Sequence, residues 1–215
     1  GARSNIVTEV DMADTAAFHH IRMQGPDATQ QIDTHLFARL GRRATFKSFT
    51  LSANVQLTRN EAILEIVGDD ASAHVGGAAF GRGDFHHDDT VFVTHGALNG
   101  ESRQVFKKVL RDGATGVFQG KILVREGAQK TDGYQISQAL LLDDDAQFLA
   151  KPELEIYADD VACSHGSTTG AIDETALFYL RSRGVPKRVA TDLLVLSFMA
   201  EAVEEIADED LRAHI

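Results

Sequence analysis

From Phe49 onward the chain alternates. Phe49, Leu51, Ala53, Val55 and Leu57 are separated by Thr50, Ser52, Asn54 and Gln56, with Thr58 following. A period of two marks a strand with one buried and one wet face. Leu51, Ala53 and Val55 are therefore expected in the core, and Thr50, Ser52, Asn54 and Gln56 in solvent. Shorter versions occur at Val91 and Val93, Ile122 and Val124, Leu140 and Leu142, and Leu154 and Ile156. Residues 5–45 are less clearly patterned. Apolar groups such as Ile6-Val7 and Leu36-Phe37 sit between turn-formers, and Gly25-Pro26-Asp27 reads as a turn. Only short strands are expected there.

The turns between the strands repeat. Gly68-Asp69-Asp70-Ala71, His95-Gly96-Ala97, Asp112-Gly113-Ala114, Glu126-Gly127-Ala128, Asp144-Asp145-Ala146 and Asp159-Asp160-Val161 share one design. A polar or glycine pair leads into a small or β-branched residue that opens the next strand. Alternate turns are the more regular: Ala97 to Ala128, Ala114 to Ala146 and Ala128 to Val161 are 31, 32 and 33 residues apart. Regularity at every second turn indicates two strands per coil, each coil burying its apolar face against the next. The expected fold is a β-solenoid with parallel ladders between coils. An antiparallel sandwich, whose turns also recur, is the alternative.

Past Gly170 the period changes to about 3.6. Asp173 reads as an N-cap, with Glu174 favourably placed in the first turn and Gly184 as the stop. Pro186 is expected to open a second helix at its first position. Val189, Leu193, Leu196, Ala200, Val203 and Ile206 form its apolar stripe. Leu194, Val195, Phe198 and Met199 widen that stripe beyond what one neighbouring helix needs. These four are the candidate residues for docking another protein, the alternative being packing within the chain's own hairpin. Residues 201–210 are acidic at the wrong pole of the helix dipole, so fraying is expected. The division expected is a β-helix core over 1–166 and a helical domain over 167–215.

Composition narrows the function. A net charge of −11 argues against a nucleic-acid backbone as partner. No run of about 18 apolar residues is present to span a membrane, and no secretory leader pattern opens the sequence. A single cysteine fits a reducing, cytoplasmic setting. The start Gly1-Ala2-Arg3, without Met, reads as a tag remnant on a piece of a longer protein.

That cysteine, Cys163, lies next but one to His165, so both side chains share a strand face. Thiolate and imidazole suit iron, zinc or copper, but two ligands do not complete a site, and a second chain would have to supply the rest. Cys163 can equally be a packed hydrophobe, and His165 a turn residue before Gly166. Asp84-Phe85-His86-His87-Asp88-Asp89 is expected to be a solvated loop, because neighbouring side chains in extended chain diverge. Asp69-Asp70, Asp143-Asp144-Asp145 and Asp159-Asp160 could serve a β-helix carbohydrate-active enzyme, although their recurrence at turns gives them a structural use. A solenoid with no site at all is the third reading.

Longer strings carry a resemblance. Residues 151–166 with Asp173-Glu174 and Leu177-Phe178-Tyr179-Leu180-Arg181-Ser182-Arg183-Gly184 are similar to the C-terminal signature of the SufB/SufD family of iron–sulfur assembly scaffolds. Phe106-Lys107-Lys108-Val109-Leu110, Gly116-Val117-Phe118-Gln119-Gly120-Lys121-Ile122 and Ala128-Gln129-Lys130-Thr131-Asp132 extend it. The match covers about residues 45–206 and is thin before that. It is more SufD-like than SufB-like, since the assembly cysteine of SufB has no evident counterpart. The family's N-terminal helical region is expected to lie outside this sequence. The resemblance implies a right-handed parallel β-helix, a helical domain docking the SufC ATPase, and pairing with a SufB-like subunit at the end of the helix. It implies that His165 faces that partner where the cluster is built, with Cys163 a weaker candidate ligand. It also implies a non-catalytic subunit that binds no cofactor alone, a transient iron–sulfur cluster being held with the partner. Without that partner the open end is expected to pair with a copy of itself as a homodimer.

Overall fold

The computed structural model describes residues 1–25, 29–206 and 212. Twelve strands fall into two six-stranded sheets. The odd strands are β1 (Arg3–Met12), β3 (Gln31–Leu40), β5 (Leu57–Ile66), β7 (His86–His95), β9 (Thr115–Val124) and β11 (Gln147–Ile156). The even strands are β2 (Ala17–Gln24), β4 (Thr45–Ala53), β6 (Ser72–Arg82), β8 (Glu101–Arg111), β10 (Thr131–Leu141) and β12 (Val161–Gly170). Each strand pairs in parallel with the next member of its own sheet. One odd and one even strand thus make a coil, as the alternate turn spacing predicts, and the antiparallel sandwich is excluded.

In-register pairing stacks like positions into files along the solenoid. Leu40, Ile66, His95 and Val124 form one such file, and each is fully buried. The small residues that open strands, Ala44, Ala71, Ala114 and Ala128, are fully buried at the corners. A larger side chain there would overfill the bend, which explains the repeated alanine.

One corner has a constant geometry. Thr15, Arg43, Asp70, Asn99 and Lys130 all have positive φ, between 52° and 64°. Their N–H groups donate to Arg42, Asp69, Leu98, Gln129 and Asp160 carbonyls respectively, each one coil further on. A left-handed non-glycine residue costs about 1–2 kcal/mol. The backbone hydrogen bond it gains offsets about 1 kcal/mol of that.

Two expectations are corrected. Residues 5–45 contain long strands, and the coils begin at Arg3. Polar residues on the inner face, such as buried Gln24 and Thr34, and exposed Ile6, Val7 and Met23 blur the alternation there. In β4 the faces are exchanged. Thr50 and Ser52 are buried inside the solenoid, at 7% and 0% exposure, while Leu51 and Ala53 are only half-buried. The interior accepts these hydroxyls because other side chains satisfy them. The apolar outer face is covered instead by helix.

That cover is α2 (Lys187–Val203), joined through Gly184 at φ 86° to α1 (Glu174–Ser182). Asp173 caps α1, its Oδ1 accepting from the Thr175 and Ala176 N–H groups at 2.8 and 3.1 Å. Pro186 stands at the N-cap of α2 rather than inside its first turn. Ala202 and Ile206 pack on Phe49 and Ala78, with Met199 and Val203 beside them. α2 ends at Val203, as the acidic run predicts, while Asp208, Glu209 and Asp210 of that run lie outside the described residues. β12 continues to Gly170 rather than ending at Gly166.

Candidate functional site

The solenoid ends in two strands that each lack a neighbour on one side, β11 and β12. β12 carries both residues singled out from the sequence. Its register on β10 sets Cys163 over Gly133, His165 over Gln135 and Ser167 over Ser137. All three belong to the inward-facing file. The Ser137 and Ser167 hydroxyls lie 3.1 Å apart, and a Cβ on Gly133 would come within 3.2 Å of the Cys163 sulfur.

Cys163 and His165 nevertheless differ in setting. The thiol is half-buried against Ile122, Val124, Ala128 and Ala158. Burial pushes its pKa up, against a backbone hydrogen bond from Gly133. It is thus held as a thiol, the weaker nucleophile and metal ligand. His165 is exposed and makes no hydrogen bond among the described residues. The adjoining strand presents Leu149, Ile156 and Tyr157 to solvent, and Tyr157 Oη donates to Glu155 at 2.5 Å. The rim therefore combines one free imidazole, apolar side chains and open backbone edges. Among the described residues, no three His, Cys, Asp or Glu side chains come together as a metal site.

The expectation for residues 84–89 is overturned. His87 and Asp89 are inward residues of β7, at 2% and 4% exposure. Asp89 Oδ2 accepts from Lys108 Nζ at 2.5 Å and pairs with His87 Nε2 at 3.0 Å. Asn60 Nδ2 donates to the other carboxylate oxygen, and Asn60 Oδ1 accepts from Gln24 and Thr34. Ser52 Oγ donates to Gln24. Burial opposes the Asp89 anion, but His87 and Lys108 outweigh it and hold its pKa far below the usual range. Burial pushes Lys108 and His87 down. The only clue in the sequence was period two: Phe85, His87, Asp89, Val91 and Val93 share a parity.

The aspartate pairs serve the corners. Asp69 accepts from the Leu98 N–H, Asp70 from the Asn99 amide and Asp143 from the Asp112 N–H. This turn use removes the main support for the carbohydrate-enzyme reading.

The docking candidates on α2 are half-buried. Phe198 lies under Lys107, whose Nζ is 4.4 Å from the ring centroid, and Met199 packs on the Phe49 cluster. Leu194 and Val195 are also half-buried. The outward apolar face is a different set: Val189, Leu193 and Leu196, with Phe178 and Tyr179 of α1. No helix among the described residues is long and apolar enough to cross a membrane.

The SUF system FeS cluster assembly, SufBD core domain family matches residues 1–198. The chain belongs to this SufB/SufD family. It is 32% identical over 206 residues to the iron–sulfur cluster assembly protein SufD of Escherichia coli, covering 96% of this chain and 49% of that protein. A SufBD family protein of Synechocystis is 31% identical, with 99% and 47% covered. SufD of Bacillus subtilis is 30% identical over 158 residues, with 74% and 36% covered. The chain thus spans about half the length of the two longer-matched relatives. Membership extends through the first coils, where the resemblance in residue strings was thin.

Proposed function

We propose that this chain is a non-catalytic scaffold subunit of the SUF iron–sulfur cluster assembly complex. It pairs with a SufB-like subunit at the β11–β12 end and docks the SufC ATPase through its helical hairpin. The observation that carries this reading is the uncovered last coil, with His165 unbonded on its edge strand. Unpaired strand edges are ready templates for another chain, and a histidine on such an edge would stand at the junction. A site shared between two chains needs only one or two ligands from each, which suits this sparse rim.

In this reading the cluster is cargo. His165 supplies a neutral imidazole nitrogen to iron or moves a proton at that nitrogen. Cys163, held as a thiol, packs the rim and is at most an accessory ligand. ATP hydrolysis belongs to the docked subunit. The chain holds no cofactor alone and works in the cytoplasm, where a lone thiol stays reduced.

The test is cluster-dependent enzyme activity in cells that rely on this pathway alone, with complex formation followed in parallel. His165→Ala should lower activity while the complex still forms, and Cys163→Ala should have a smaller effect. Full activity of His165→Ala would refute the role. Loss of the complex would reduce His165 to a residue holding the junction together.

A further inference from the structure

Beneath His165 the solenoid interior contains two glutamines in file. Register sets His165 on Gln135 and Gln135 on Gln104. Both glutamines are fully buried, and neither the oxygen nor the nitrogen of either amide has a hydrogen-bond partner. A buried polar group left unpaired costs about 1–3 kcal/mol. Apolar side chains of similar size would fill the same space without that cost. Elsewhere the interior polar groups are organised: Asn60 alone gathers Gln24, Thr34 and Asp89. The unsatisfied pair lies directly under the only exposed histidine of the β11–β12 end, and that histidine is itself unbonded.

The flanking pairs show that this file reaches across coils. On one side Ser167 meets Ser137, and on the other Cys163 lies against Gly133. His165 stands between them with the same inward parity. Adjacent strands are about 4.8 Å apart, so an imidazole and a glutamine amide in register are within reach directly or across one water. Room for the amide is provided from the opposite sheet. A Cβ on Gly120 would lie 2.4 Å from Gln135 Oε1.

We propose that Gln135 is a positioning residue for His165. Its amide is the hydrogen-bond partner of one imidazole nitrogen, fixing the tautomer and ring orientation so that the other nitrogen faces the partner chain. Gln104 backs Gln135 from the coil below. Outer partners of this kind are what set the orientation of a ligating histidine. The proposal rests on the reading of His165 given above, but the pairing is testable without it.

The experiment has two arms. In this chain, long-range proton–nitrogen NMR correlations of the His165 ring, assigned by their loss in His165→Ala, report which nitrogen carries the proton. The wild type should show one dominant tautomer, and Gln135→Leu should shift the ratio toward a mixture while the melting temperature holds or rises. Gly120→Ala, which displaces the amide without removing it, should also move the His165 signals and serves if Gln135→Leu fails to fold. In cells, full-length Gln135→Leu should lower cluster assembly about 10–100-fold with the complex intact. Unmoved His165 signals in both variants would overturn the proposal, whatever the activity. Moved signals with full activity in both Gln135→Leu and His165→Ala would uphold the pairing and overturn the functional role of His165 instead.

Discussion

Arg103 on β8 grips Glu205, just beyond α2, with two arms of its guanidinium: Nε and Nη2 donate to the two carboxylate oxygens at 2.8 and 2.9 Å. Lys107, further along β8, pairs with Glu201 and lies over Phe198. The hairpin is thereby fastened to the even sheet at the height of Phe49 and Ala78. Arg103 is 40% exposed at its side chain, so water screens the pair. A double-mutant cycle of Arg103→Ala with Glu205→Ala should give a coupling of about 0.5–1 kcal/mol, shrinking with added salt. Phe49→Ala should destabilise by about 3–5 kcal/mol, measured by urea unfolding. Apolar packing, not the ion pair, holds the helix in place.

Asp89 is the anion at the centre of the buried cluster. Asp89→Ala leaves Lys108 buried without its counter-charge and should destabilise by about 3–5 kcal/mol. Denaturant midpoints of Asp89→Ala and the wild type measure the difference.

Stability should fall on mild acidification. His95 is buried with a hydrogen bond between its Nε2 and Ser102 Oγ, and burial lowers its pKa to about 4. Between the ordinary value of about 6.5 and that value, the unfolded chain binds the proton and the folded chain does not. Stability is therefore full above about pH 6.5 and is lost as pH falls toward 4, by up to about 3 kcal/mol at 1.36 kcal/mol per pKa unit. His87 and His20 shift in the same direction, also because of burial. Urea titrations at several pH values should show the slope, and His95→Gln should flatten it.

For ATPase docking, the outward residues are the informative targets. Leu196→Asp and Leu193→Asp should abolish co-purification of the ATPase while leaving the far-ultraviolet spectrum and melting temperature nearly unchanged. Phe198→Asp should instead lower stability, since its ring lies under Lys107. Retained binding in both leucine variants would show that the face is only surface.

Without its partner, the open coil should self-associate. Sedimentation at micromolar concentration should show a dimer. Leu149→Asp, on the exposed face of β11, should weaken it about tenfold or more. A monomer in the wild type would overturn this.

Much of the architecture was readable because a solenoid repeats its own geometry. Alternate turns revealed two strands per coil, and the buried corner alanines are the physical reason they do. Asp173, Gly184 and Pro186 marked the helices through local chemistry. What period two could not reveal was which face is inside. In β4 the hydroxyls of Thr50 and Ser52 point inward, and the apolar side chains await α2. The same blindness hid His87 and Asp89, whose buried partners Lys108 and Asn60 are remote in sequence. At the rim, Cys163 and His165 could be paired by parity. Their opposite fates, one packed and one exposed, depend on contacts with other coils that no local pattern records.

The left-handed corner imposes a rule on length. Thr15, Arg43, Asp70, Asn99 and Lys130 each hand a hydrogen bond forward to the next coil, so every corner is keyed to the one after it. A deletion within a coil slides the downstream strands out of file and turns inner residues outward. Removing the segment from one left-handed corner to the next brings equivalent positions back together. Such a rod grows or shrinks by whole coils, like a chain of links, while loops at the opposite edge remain free to vary.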